Sequence, residues 1–205
     1  GNGAVERLEK DGKRTVLASK YEGKRLNSPN DLAYKSDGSL YFTDPSFGFA
    51  KGDQDPRKEL PFNGVYRLAN GKLQLLSKDF KAPNGIAFSP DEKYLYVNDS
   101  VAKTYWRFEV KPDGGIANGK VFVDMSASKE DGVPDGMKVD QKGNIYGTGP
   151  GGVWILSPEG KHLGTIKAPE DPANLAWGDN DGKTLYLTAR TGLYKIRLNI
   201  PGVRP

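Results

Sequence analysis

Pro134-Asp135-Gly136-Met137-Lys138-Val139-Asp140 reads as a turn tripeptide that launches a short alternating strand, with one carboxylate at its mouth. Related copies stand at Pro83-Asn84-Gly85-Ile86-Ala87-Phe88-Ser89 and Pro29-Asn30-Asp31-Leu32-Ala33-Tyr34-Lys35, and a degenerate one at Pro172-Ala173-Asn174-Leu175-Ala176-Trp177. The aligned positions Asn30, Asn84, Asp135 and Ala173 are separated by 54, 51 and 38 residues. Four-stranded propeller blades repeat every ~40–50 residues. Helical solenoids of similar period need apolar residues every 3.6 positions, and here they alternate. The spacing predicts an all-β chain, a β-propeller of four-stranded blades.

Working outward, each copy is followed by a turn and a partner strand: Ser36-Asp37-Gly38-Ser39 then Leu40 to Thr43, Pro90-Asp91-Glu92 then Tyr94 to Asn98, and Ile145 to Thr148 after Asp140. Alternation interrupted by Asp-Gly or Asn-Gly is a strong short-range hairpin signal. A third and a fourth strand complete each repeat, as in Gly64 to Leu68 and Lys72 to Leu76 across Asn70-Gly71, or Gly152 to Leu156 and Leu163 to Ile166 across Pro158-Glu159-Gly160. In the second repeat, Tyr105 to Val110 is expected to meet Lys120 to Val123 across a longer loop. The chain opens on a hairpin, Ala4 to Leu8 and Thr15 to Ala18, and ends after a third-strand element, Gly192 to Leu198. About four blades are therefore expected in rotated register, a number that can close a ring or form part of a six-bladed one. Residues 1–205 are read as a single propeller domain.

Composition excludes several classes. The charges are spread along a moderately apolar chain of 205 residues, which is not the signature of disorder. No apolar run approaches the ~18 residues of a membrane span, and no signal pattern opens the chain, so a soluble cytoplasmic or periplasmic protein without membrane contact is expected. The net charge of +4 comes largely from lysines beside turns, such as Lys35, Lys72, Lys93 and Lys142, with no basic cluster interleaved with aromatics for nucleic acid. Without cysteine there is no disulfide, thiolate metal site or Cys nucleophile, and the one histidine, His162, lies in a polar hairpin arm away from every motif. A Ser-His-Asp hydrolase is not expected. Trp106, Trp154 and Trp177 fall in strands and are expected to pack between blades; Asp44 and Asp99 follow second strands, where a capping or turn role is expected.

In a propeller, equivalent turns of successive blades meet near one axis. Asn30, Asn84 and Asp135 can thus be read as oxygen ligands converging on a hard cation such as Ca²⁺ or Mg²⁺, with one carboxylate among carboxamides favouring Ca²⁺. They can equally be ordinary turn formers that bond their own backbone. Periodicity leaves both readings open.

Five motifs in order add a resemblance: Arg25-Leu26-Asn27-Ser28-Pro29-Asn30-Asp31, Tyr41-Phe42-Thr43-Asp44-Pro45, Pro83-Asn84-Gly85-Ile86-Ala87-Phe88-Ser89-Pro90-Asp91, Pro134-Asp135-Gly136-Met137 and Thr148-Gly149-Pro150-Gly151-Gly152. Together they resemble the gluconolactonase/regucalcin (senescence-marker-protein) family, its bacterial gluconolactonase branch most closely. The resemblance implies a six-bladed propeller whose central channel holds a divalent ion, usually Ca²⁺, with Mg²⁺, Zn²⁺ or Mn²⁺ as alternatives. It implies that Asn84 and Asp135 are metal ligands and that Asn30 lies at the metal and substrate site. Asn30 and Asn84 would then contact the substrate. The family's remaining ligand is a Glu near the start of its first blade; this chain begins after that point, so the N-terminal blade or blades are expected to be absent. Ser28 stands where the regucalcin branch has a substrate-contacting Arg.

The implied function is hydrolysis of a small-molecule sugar lactone, with the cation polarising the lactone carbonyl and Asp135 as general base or electrostatic anchor. Two other functions stay beside it: a related phosphotriesterase activity, and a non-catalytic or shortened propeller serving as a binding module. In the last, open blade edges would invite self-association. The insertion from Pro45 to Asn63, with Phe47, Phe49 and Phe62, is expected to act as a lid.

Overall fold

The computed structural model describes residues 2–203. The chain divides into two compact units, one ending at Pro83 and one beginning at Asn84.

The first unit opens on a hairpin of β1 (Val5–Leu8) and β2 (Arg14–Ala18). A short ribbon follows, β3 (Lys20–Tyr21) and β4 (Lys24–Arg25), turning at Glu22-Gly23. Both turn residues take positive φ, as a two-residue hairpin requires. Two-residue strands carry no readable alternation, which is why this ribbon is absent from the sequence pattern. Next comes a four-stranded antiparallel meander of β5 (Leu32–Tyr34), β6 (Leu40–Asp44), β7 (Asn63–Ala69) and β8 (Lys72–Phe80). Its core gathers Leu26, Leu40, Phe42, Leu60 and Tyr66, with Val5 and Ala18 of the opening hairpin packed into the same cluster.

The insertion between β6 and β7 is not a free flap. Gly52–Gln54 form a 3₁₀ turn. Leu60 is in the core, and buried Phe49 lies under the guanidinium groups of Arg25 and Arg57 at 5.2 and 5.6 Å. Asn63 donates to Asp53, and the Arg25 amide donates to Glu59. Phe62 is partly buried against the core, and only Phe47 of the three phenylalanines is exposed.

The second unit holds two more four-stranded meanders. One comprises β9 (Pro83–Phe88), β10 (Tyr94–Asp99), β11 (Thr104–Val110) and β12 (Ile116–Asp124). The other comprises β13 (Met137–Val139), β14 (Ile145–Gly149), β15 (Gly152–Leu156) and β16 (His162–Ile166). A three-stranded sheet follows, β17 (Pro172–Gly178), β18 (Thr184–Ala189) and β19 (Leu193–Arg197). These meanders are the blades that the repeat spacing predicts.

One boundary differs from the pattern. β12 begins at Ile116, so the expected long loop before Lys120 is a tight turn. Asn118 takes a positive φ within a bulged pairing of β11 with β12, which shifts the register and hides the alternation.

Turn chemistry is local and repeated. Asp37, Asp91, Asp140 and Asp181 each accept the N–H two residues on, from Ser39, Lys93, Lys142 and Lys183. This is the Asx turn expected of such sequences. Trp177 meets Tyr146 edge-on at 5.1 Å, a contact between blades, whereas Trp154 stacks on His162 of its own blade at 3.9 Å. No helix among the described residues is long and apolar enough to cross a membrane.

Candidate active site

The second unit brings Asn84 and Asp135 together. Asn84 lies on β9 and is buried; Asp135 is half-buried in the turn before β13. Two side chains brace one turn against the other. Asn98 of β10 accepts the Gly85 amide at 3.0 Å through Oδ1 and donates Nδ2 to the Asp135 carbonyl at 2.7 Å. Ser100 accepts the Asn84 Nδ2 at 2.9 Å and donates to the Pro134 carbonyl at 2.5 Å.

Thr148 of β14 closes the arrangement from the other side. Its Oγ1 accepts the Asp135 amide at 2.7 Å and donates to Val133 O at 3.1 Å. The Thr148 carbonyl in turn accepts the hydroxyl of the fully buried Tyr105 at 2.7 Å. Burial raises the Tyr105 phenol far above its usual range, a bond to Asn98 pulls it back, and the charge of Asp135 raises it further. Both backbone polar groups of Asp135 are therefore tied, which fixes the direction in which its side chain leaves the backbone.

Glycine is required at two points of this frame. A Cβ on Gly85 would overlap the Asp135 carbonyl oxygen, and one on Gly136 would overlap the Asn174 side chain. Each turn sits directly on the next, and Gly136 N donates to Ala173 O at 2.9 Å. The Gly in Pro-Asn-Gly and Pro-Asp-Gly thus serves a close approach between blades as well as a turn.

Asn30 belongs to the first unit, exposed in the turn before β5, with its amide donated to Thr43 O at 2.9 Å. Asp99 caps the following turn, accepting the Val101 and Ala102 amides at 3.0 and 2.9 Å, as a turn role predicts. Asp44 does something else: its Oδ2 reaches back to accept the Asn27 amide at 2.8 Å. His162 is exposed, with Nε2 2.9 Å from Thr165 Oγ1. Sequence reading missed Asn98, Ser100, Thr148 and Tyr105; the available signal was their shared place at or just after the second strand of a repeat, or at the head of the third.

The donor set suits a hard cation. Asp135 and Asn84 offer oxygen only, once the Asn84 amide nitrogen is engaged by Ser100, and hard divalent ions select oxygen. Among the described residues no three His, Cys, Asp or Glu side chains cluster, so ligation here would rest on carboxamide oxygen beside one carboxylate.

Antiparallel meanders repeated in this order define the class, a β-propeller. Residues 2–191 match the SMP-30/Gluconolactonase/LRE-like region, and the chain belongs to that family. It is 37% identical over 193 residues to the gluconolactonase of Zymomonas mobilis, covering 90% of this chain and 54% of that one. It therefore spans about half the length of that curated relative. Among solved structures, a gluconolactonase from Xanthomonas campestris superposes with a TM-score of 0.85 at 35% identity, over 99% of this chain and 66% of that one. The calcium-binding protein regucalcin from Agrobacterium tumefaciens shares the fold, with a TM-score of 0.79 at 20% identity over 98% and 72% of the two chains.

Proposed function

We propose that this chain carries the metal-binding and catalytic turns of a hydrolase of sugar lactones. The carrying observation is that Asn84 and Asp135, 51 positions apart, are cross-braced through Ser100 and Asn98. The family and a gluconolactonase relative at 37% identity support the substrate class. The calcium-binding neighbour supports the choice of Ca²⁺.

Asn84 Oδ1 and the Asp135 carboxylate would hold the cation, and Asn30 is assigned to the metal and substrate site by the family resemblance. A divalent cation, when bound, supplies Lewis-acid polarisation of the lactone carbonyl. Asp135 accepts a proton from the attacking water on a carboxylate oxygen. The acyl C–O bond of the ring then breaks, and the ring oxygen takes that proton from Asp135 and leaves as the hydroxyl of a hydroxy acid, which restores the carboxylate. Because Thr148 and Asn98 hold the backbone of Asp135 on both sides, its carboxylate needs little reorganisation for that transfer.

The test is calorimetric titration of Ca²⁺ into the chain and into Asp135→Ala, beside hydrolysis of glucono-1,5-lactone. Loss of measurable Ca²⁺ binding and a fall in rate of at least about 100-fold are expected. An Asp135→Ala variant with unchanged Ca²⁺ affinity sinks the assignment.

A further inference from the structure

The first unit contains a buried carboxyl that the proposed reaction does not use. Asp44 ends β6 with no solvent exposure, and the segment it grips is the one that leads into Asn30. Its Oδ2 accepts the Asn27 amide at 2.8 Å, and the Ser28 amide also bonds to this carboxyl. The Asn27 side chain returns the contact, donating Nδ2 to the Asp44 carbonyl at 3.1 Å and to the Phe62 carbonyl at 2.9 Å.

Ser28 continues the seam, donating to the Pro45 carbonyl at 2.5 Å and accepting the Gly48 amide at 2.9 Å. Thr43, the residue before Asp44, completes it. Thr43 O accepts the Asn30 amide at 2.9 Å, and Thr43 Oγ1 accepts the Asp31 amide at 3.2 Å. The stretch 27–31 is thus laid along residues 43–45 and tied at Asn27, Ser28, Asn30 and Asp31.

We propose that Asp44 is a positioning residue for Asn30: its carboxylate fixes the Asn27-Ser28 backbone and so sets where Asn30 stands in the substrate site. This rests on the reading of Asn30 as a site residue of a lactone hydrolase. A simple packing role is a poor account of the group. Burying a carboxyl carries a desolvation cost that an apolar side chain of similar shape avoids, and this carboxyl accepts a backbone amide of the segment that leads to Asn30.

The groups facing Asp44 come from three elements. Arg25 of β4 and Lys58 of the insertion favour its charge, and Tyr66 of β7 faces it as a neutral phenol held far above its usual range, chiefly by burial and then by Asp44 itself. Lys58 is itself 7% exposed and donates Nζ to the Leu60 and Phe62 carbonyls. Burial outweighs these favourable terms and pushes Asp44 up to about 7. The clamp therefore passes from neutral acid to charge-assisted acceptor within the neutral range.

Asp44→Asn keeps the shape and one acceptor while removing the charge. For the wild-type chain, kcat/KM for glucono-1,5-lactone is expected to fall on acidification with an inflection near pH 7. In Asp44→Asn the inflection disappears, and the value at pH 8 drops about tenfold, the worth of roughly 1.4 kcal/mol of charge-assisted hydrogen bonding. An Asp44→Asn variant with the wild-type profile and rate overturns the proposal.

A second measurement does not depend on turnover. The amide proton shifts of Asn27 and Ser28 should titrate together with the Asp44 carboxyl carbon by NMR and fall silent in Asp44→Asn. If the chain hydrolyses no lactone but these amides follow Asp44, the lactone reading fails and the clamp stands. If the amides ignore the Asp44 titration, the clamp is overturned whatever the activity.

Discussion

Two turns in this molecule are held by side chains from neighbouring strands, and they are held by opposite means. Around Asp135 the braces are neutral: Asn98, Ser100 and Thr148 each donate and accept across the seam, and Tyr105 donates behind them. Around Asn30 the brace is the carboxyl of Asp44, buried with one oxygen bonded and the other without a partner. Asp99 occupies the same place at the end of its strand as Asp44, and its Oδ1 caps the loop that follows by accepting the Val101 and Ala102 amides. A neutral brace holds its geometry at any pH the fold survives. A buried carboxyl instead ties geometry to protonation, at a desolvation cost that appears as its raised pKa.

The sharpest way to break the neutral frame is Gly85→Ala. The new methyl group would meet the Asp135 carbonyl and the Asn98 amide, and the backbone oxygen has no flexible end to yield. Loss of roughly 3 kcal/mol of stability is expected in denaturant titration, the upper range of an overpacked site, together with loss of Ca²⁺ binding. Near-wild-type values for both would show that the two turns do not need to touch.

A smaller effect separates the two braces by pH. The folded pKa of Asp44 lies at about 7, above the usual carboxylate value. Its contribution to stability is fully present below about pH 4 and is lost as pH rises through that folded value. Thermal melts should therefore show a contribution that rises as pH falls from 8 towards 5, and Asp44→Asn should flatten it while raising the melting temperature at pH 8. In that variant the amide nitrogen can donate to the Asn27 Oδ1 that otherwise lacks a partner. An unchanged pH slope in Asp44→Asn would place the titration elsewhere.

The smallest effect is expected at Phe47, the exposed phenylalanine of the insertion. Phe47→Ser, at an exposed position, should shift stability by less than about 0.5 kcal/mol. Phe49→Ala should cost about 3 kcal/mol, because that ring is buried under Arg25 and Arg57. Equal effects at the two positions would mean that the insertion is not pinned as described. The comparison matters for the lid expectation: a segment anchored through Phe49, Leu60, Asp53 and Glu59 is part of the first unit's packing, with Phe47 as its exposed aromatic.

The blades were legible because their signals are local. Alternation at period two, and an Asp or Asn that bonds the amide two residues on, lie within one or two turns of chain, so Asp37, Asp91, Asp140 and Asp181 announce their hairpins unaided. Where a local irregularity intrudes, the pattern fails: Asn118 with its positive φ masks the start of β12, and the two-residue strands β3 and β4 are too short to alternate. The turns that carry Asn84 and Asp135 were likewise visible as a repeat, 51 positions apart.

By itself, then, the sequence determined the all-β blades, their order, and the one carboxylate among the matched turn positions. Only the tertiary structure decided what holds that carboxylate and which other acid is unusual. The bonds from Asn98 and Ser100 to the 134–135 turn span 37 and 34 positions, and that from Tyr105 to Thr148 spans 43. No local pattern encodes such partners. The bond from Asp44 to the Asn27 amide spans 17 positions and likewise lies outside any local pattern, whereas the loop that Asp99 caps lies within three.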